Sequence, residues 1–138
     1  MTRHADKLLL LLVALLAGPG CRSYAANVMK LSAEGNTADI QVVNEGLQEE
    51  LELASGRVAY EGDILVGWVK IRNHEDEKVA YEYRWSWYDA DNKKITIGGA
   101  GEAWAKQWAN PLEEVEVDGH ATAEGAVRTE FQLRYAAE

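Results

Sequence analysis

The stretch Val79-Ala80-Tyr81-Glu82-Tyr83-Arg84-Trp85-Ser86-Trp87 decides the fold. Val79, both tyrosines and both tryptophans fall on successive odd positions, while Glu82, Arg84 and Ser86 lie between them. Successive Cβ atoms of a strand point to opposite faces, so this period of two predicts a β-strand. Aromatic side chains favour that state. In water, the four rings would form a platform on which sugar rings could stack. Inside, each would bury about 150–250 Å² and fill the middle of a core. Alternation with charged and polar residues favours the interior.

Upstream, Leu65, Val69 and Ile71 share one face of a strand over Ile64 to Arg72, and Val66, Trp68, Lys70 and Arg72 share the other. The polar stretch Asn73 to Lys78 joins it to the aromatic strand. Downstream, Asp89-Ala90-Asp91-Asn92 is turn chemistry, closing a hairpin into Lys93 to Ile97. In the last strand Val127, Thr129, Phe131, Leu133 and Tyr135 alternate with Arg128, Glu130, Gln132 and Arg134. Ile40 and Val42 open another run, and Leu47, Leu51 and Leu53 fit a helix or a strand equally. Ser55-Gly56, Glu61-Gly62-Asp63 and Asp118-Gly119 read as turns, and Leu112, Val115 and Val117 as a strand. Glu102 to Ala109 reads as one or two helical turns with Trp104 and Trp108 on one side. Short strands between turn signals predict an all-β fold. It is an antiparallel immunoglobulin-like β-sandwich of about seven strands, spanning residues 39–138.

The charge balance, 14 Lys+Arg against 23 Asp+Glu, gives −9 and argues against nucleic acid, whose affinity comes from basic side chains displacing counterions. One cysteine excludes an intrachain disulfide and a Cys-based zinc site. Asp89, Asp91 and Asn92 have the look of a calcium loop, but Lys93 and Lys94 follow where a ligand and a glycine are needed. No cofactor or metal is expected. His74 and His120 have no nucleophile in a recognisable frame beside them, so no enzymatic activity is expected.

The N-terminus reads as an address. Arg3 and Lys7 precede the uninterrupted apolar run Leu8 to Ala17, and Gly18-Pro19-Gly20 ends it. Ten residues are too few to span a bilayer and match the apolar region of a secretory signal peptide. Cys21 directly after small residues resembles a bacterial lipobox, in which the thiol receives diacylglycerol. Residues 1–20 are then a lipoprotein signal peptide. Residues 21–38 are a lipidated N-terminus and a polar tether reaching at most about 50 Å. Several acyl chains anchor firmly, at about 0.8 kcal/mol per buried CH₂. Arg22, in place of Asp after the cysteine, favours the outer membrane by analogy with other lipoproteins. The alternative is cleavage after Ala25, which follows the small-x-small pattern of Ser23-Tyr24-Ala25 and releases a soluble periplasmic or secreted protein.

Val69-Lys70-Ile71-Arg72-Asn73 followed by Ala80 to Asp91 (AYEYRWSWYDAD) resembles the YcfL family of small bacterial lipoproteins. Trp108 and the closing Phe131-Gln132-Leu133-Arg134 are similar too, and the likeness runs from Leu47 to Tyr135. Asn92-Lys93 departs from it, since the family usually places a glycine soon after the Asp-Ala pair. The resemblance implies a membrane-tethered β-sandwich facing the periplasm, with no established biochemical role. Some members are encoded near an activator lipoprotein of penicillin-binding proteins, which makes an envelope-assembly role conceivable.

The resulting expectation is a non-enzymatic, lipid-anchored envelope protein that binds a protein partner. Its alternative is a periplasmic glycan-binding module using exposed tryptophans. Trp104 and Trp108 beside the Gly98–Gly101 stretch, and Trp68 on the outward phase of its strand, are the candidate contact residues.

Overall fold

A computed structural model of the chain describes residues 23–96 and 102–137. The leader, Cys21 and the Gly98–Gly101 stretch lie outside the described residues. Eight strands and one short helix follow in order: β1 (Asn27–Ser32), β2 (Thr37–Gln41), α1 (Glu45–Glu50), β3 (Leu51–Glu61), β4 (Ile64–Asn73), β5 (Val79–Tyr88), β6 (Ala105–Ala109), β7 (Glu114–His120) and β8 (Arg128–Tyr135). They form two antiparallel sheets, one ordered β2-β1-β8-β5-β6 and the other β3-β4-β7. The all-β sandwich architecture predicted from alternation is present.

The aromatic face of β5 points inward. Val79, Tyr81 and Trp87 are buried, while Tyr83 and Trp85 pack against the core as partly buried neighbours. From β8, Phe131 meets Trp85 edge-on at 4.8 Å and stacks on Tyr83 at 5.6 Å between centroids. Trp85 also stacks on Trp87 at 5.5 Å. It touches both buried clusters, the one around Phe131 and the one around Leu65 and Trp87, and so joins them. Burial pushes the Tyr81 hydroxyl up to about 12. A phenol whose folded pKa is raised favours folding fully below the unfolded value near 10, and that contribution is lost as pH rises through the folded value. Stability should therefore fall by about 1–2 kcal/mol between pH 10 and 12, and Tyr81→Phe should flatten the fall. Urea titrations across that interval check it.

Four local expectations are corrected. Residues 27–38 are not tether: β1 and the start of β2 occupy them, and Asn27, Met29 and Leu31 are buried. The Asn27 side-chain carbonyl accepts from the Val43 and Asn44 amides at 2.9 and 2.8 Å, and its amide donates to the Asn44 carbonyl at 2.9 Å. Those bonds satisfy backbone groups that lie beyond the strand ladder, and so fix the chain where it enters the body.

Gly56 and Gly119 do not turn the chain. β3 runs through Gly56 with a bulge between Leu53 and Ser55, and β7 runs through Gly119. Both glycines make room for the opposite sheet. A Cβ on Gly56 would collide with Met29 Sδ, and one on Gly119 would meet Trp85 Nε1 at 2.5 Å. Gly67, paired with Gly119, faces the same indole, with Trp85 Cζ3 2.6 Å from its would-be Cβ.

Within the stretch Glu102 to Ala109 the chain forms a strand, β6, rather than a helix. Leu112 belongs to no strand; it sits in a turn with φ 56°. By contrast, Leu47 is helical and Leu51 and Leu53 lie in a strand, which resolves that ambiguity in favour of both.

The antiparallel registers define two ends. At the entry end lie Asn27, the segment from Val42 through α1, the β4–β5 connection, the β6–β7 connection and the C-terminus. The β3–β4 turn and the segment before β8 lie at the far end.

Candidate functional site

The outward phases of β5, β8 and β6 form the most chemically distinctive surface. Trp104 and Trp108 project to the same side, flanking Lys106, next to Ala80, Glu82 and Arg84 of β5. The spacing of four residues places both tryptophans on one face of a strand as it would on a helix. The Arg134 and Arg84 guanidinium carbons lie 3.8 and 4.3 Å from the Trp104 ring centroid. Arg134 is tied to Glu82 at 3.3 Å and Arg84 to the Gln132 side chain, so the cations are themselves anchored to the sheet. Just ahead of the ring, Glu102 accepts from the Ser86 hydroxyl at 2.7 Å and pairs with Lys94 at 3.0 Å. Cation–π contact of this kind contributes about 0.5–1 kcal/mol at an exposed site and orients the indole.

Trp108 is 50% exposed. The Lys106 and Lys78 ammonium groups lie 5.3 and 5.6 Å from its ring, and among the described residues neither has a carboxylate partner. A hollow beside it is lined by Lys78 and Lys106 together with Glu77, Ala80 and Ala136. A cationic, aromatic strip thus interrupts the surface of a chain with net charge −9.

Trp68 is not part of this strip. It sits on β4, in the other sheet, opposite Arg57, whose guanidinium carbon is 3.9 Å from its ring. The outer side of that sheet carries an ion-pair group: Arg72 binds Glu114 at 2.6 Å, and Glu52 approaches Arg72 at 3.9 Å and His74 at 3.0 Å. The bond from Arg72 holds the Glu114 carboxyl below the usual carboxylate range. His120 stands at the far end with Glu61 and Asp118 at 3.6 and 4.0 Å. The two histidines therefore do not converge. Asp89 uses its carboxylate for its own turn, accepting from the Asp91 and Lys93 amides at 2.9 Å each.

Reading the sequence singled out the tryptophans but missed Arg84, Arg134, Lys78 and Lys106. The first two were legible in principle, because strand alternation places them on the outward phase. The lysines come together only through the β5–β6 pairing.

Comparison with known proteins gives a family and a fold. A family model described as a protein of unknown function (DUF1425) matches residues 38–135. A crystal structure of a DUF1425 family member from Shewanella sp. pv-4 is similar with a TM-score of 0.57 and 18% identity, covering 64% of this chain and 80% of that one. The crystal structure of Campylobacter jejuni cj0090 is similar with a TM-score of 0.53 and 13% identity, covering 61% and 85%. No curated protein matches the chain.

Proposed function

The chain belongs to the DUF1425 family of proteins of unknown function, and from that premise we propose that it is a non-enzymatic, lipid-anchored cell-envelope protein whose sandwich binds another protein. Its likeness to YcfL lipoproteins, the apolar run Leu8 to Ala17 and the position of Cys21 support the anchor and an outer-membrane, periplasm-facing location. The observation that carries the binding role is the Trp104–Trp108 strip. Indoles held by cations give a rigid, amphipathic surface, and Trp and Arg are the residues that dominate protein interfaces. With β1 beginning at Asn27, the linker after Cys21 shortens to at most about 20 Å of extended chain. A partner of this protein is then met close to the membrane.

A photo-cross-linking residue at Lys106, on the strip, and another at Lys70, on the opposite sheet, test this in intact envelopes. A specific adduct is expected from position 106 alone, and it should vanish with Trp104→Ala. Equal adducts from both positions, or none, would contradict the proposal. The second reading, a glycan-binding module, draws on the half-exposed Trp108. A saturable tryptophan fluorescence change with peptidoglycan fragments, abolished by Trp108→Ala, would select it.

A further inference from the structure

We infer that the entry end of the sandwich rests on a bilayer of zwitterionic head groups, a contact surface that takes in the Trp108 end of the strip and leaves the Trp104 end clear for a partner. The inference builds on the lipid-anchor reading above and adds what the body does once anchored.

The exposed large apolar side chains are not scattered. Tyr24, Val42, Val43, Trp108 and Leu112 all lie at the entry end, with Val43 and Leu112 each 69% exposed. Of the other two, Ile40 lies on β2 just before Val42, and Tyr60 alone among the described residues stands at the far end. The side chains at this end come from three separate segments: the entering chain, the β2–α1 connection, and β6 with the turn that follows it. Isolated exposed apolar residues are ordinary; these stand at the same end of the sandwich, beside both edge strands β2 and β6 of the five-stranded sheet, where one flat surface can meet both.

Leu112 supplies an independent observation. Its φ of 56° is a left-handed conformation that glycine or asparagine adopts cheaply and leucine does not. The strain is held by the Leu112 amide donating to the Glu75 carbonyl at 3.0 Å and by the Glu113 amide closing a turn on Asn110 at 3.2 Å. The fold therefore holds a strained leucine in water. Such strain persists where a display has a use.

The chain's own path identifies the occupant. Residues 1–22 join the body at this end, with five residues between Cys21 and Asn27. A lipid on Cys21 brings the same end to the bilayer. Leucine and tryptophan at a membrane surface bury apolar area while lysines such as Lys78 and Lys106 reach toward phosphate. Charge selects the lipid. Glu45, Glu49, Glu75, Asp76, Glu77 and Glu113 also lie at this end, and anionic head groups would repel them.

Residues 23–137 span all eight described strands and every core residue among the described ones, so the body can be tested without its leader. It is attached through an N-terminal histidine tag to vesicles bearing a chelating lipid, which replaces the natural anchor. Amide hydrogen exchange is then followed at residues 42–44 and 110–113. On phosphatidylcholine vesicles, exchange at both segments should slow by about tenfold or more, reporting local opening blocked by contact. On phosphatidylglycerol vesicles the slowing should be absent. Val43→Ser with Leu112→Asn should abolish it while leaving exchange in β5 and β8 unchanged. No slowing on phosphatidylcholine, or equal slowing on both lipids, overturns the inference. Slowing that needs no vesicles and grows with protein concentration would assign this end to a second copy. Slowing in the uncleaved full chain alone would assign it to the run Leu8 to Ala17. Either result would also overturn it. The mass of the Cys21 peptide from cells tests the anchor separately, so failure of one reading does not masquerade as failure of the other.

Discussion

Phe131→Ala should remove about 3–5 kcal/mol of stability, the range for deleting a fully buried aromatic side chain. Phe131 is 0% exposed and touches Tyr83 and Trp85, so its loss leaves a hole between rings that the antiparallel β5–β8 ladder cannot close by shifting. Register is fixed from Tyr81↔Tyr135 to Tyr88↔Arg128, and slipping by one residue would turn every ring outward. Chemical denaturation should show a lower midpoint with little change in slope. A loss below about 1 kcal/mol would mean the rings are not the core.

Gly119→Ala should destabilise by about 2–3 kcal/mol, a large effect for one methyl group and the usual scale of an overpacked core. The new Cβ would stand 2.5 to 2.7 Å from three atoms of the Trp85 pyrrole ring. The indole has little freedom to retreat, being held by Trp87, by Phe131 and by Gly67 on the adjoining strand. Trp85 Nε1 is buried without a hydrogen-bond partner among the described residues, so the site already carries a polar cost that close packing offsets. Shrinking the ring should relieve the collision: in a Trp85→Phe background, Gly119→Ala is expected to cost less than half as much. A double-mutant cycle checks this, and additive effects would show that Gly119 is required for some reason other than room for the indole.

These two positions show which parts of the fold were readable. Phe131 and the β5 rings were legible because burial on one face of a strand leaves a period of two that needs no partner to recognise. Gly119 and Gly56 were misread for a physical reason. Glycine serves turns through its backbone freedom and tight sheet packing through its missing Cβ, and one sequence does not separate the two uses. Gly62, with φ 61°, is a real turn and was read as one. β1 escaped notice because its inward row is Asn27, Met29 and Leu31, while Val28 lies on the other phase. A buried asparagine breaks the apolar pattern although its hydrogen bonds make it a sound interior residue. β6 was ambiguous by geometry, since positions four apart share a face in helix and strand alike.

The candidate site divides in the same way. The outward phase of Trp68 followed from local pattern, whereas Trp108 was singled out on a helical reading of a segment that is a strand. The separation of Trp68 from Trp104 and Trp108 onto opposite sheets followed only from strand order, as did the cations around each ring. Leu112 drew attention in sequence as a strand residue. Its significance lies in a backbone angle and a location, which belong to the folded chain.

The central claim is a partition: the rings of β5 fill the interior, and the indoles of the β6 segment face outward. Fluorine NMR of protein labelled with 5-fluorotryptophan measures it directly through the solvent isotope shift on replacing water with deuterium oxide. The Trp108 resonance should show the largest shift and the Trp87 resonance almost none, with Trp104 between them. A Trp87 shift as large as that of Trp108 would place the aromatic face of β5 in water and contradict the account.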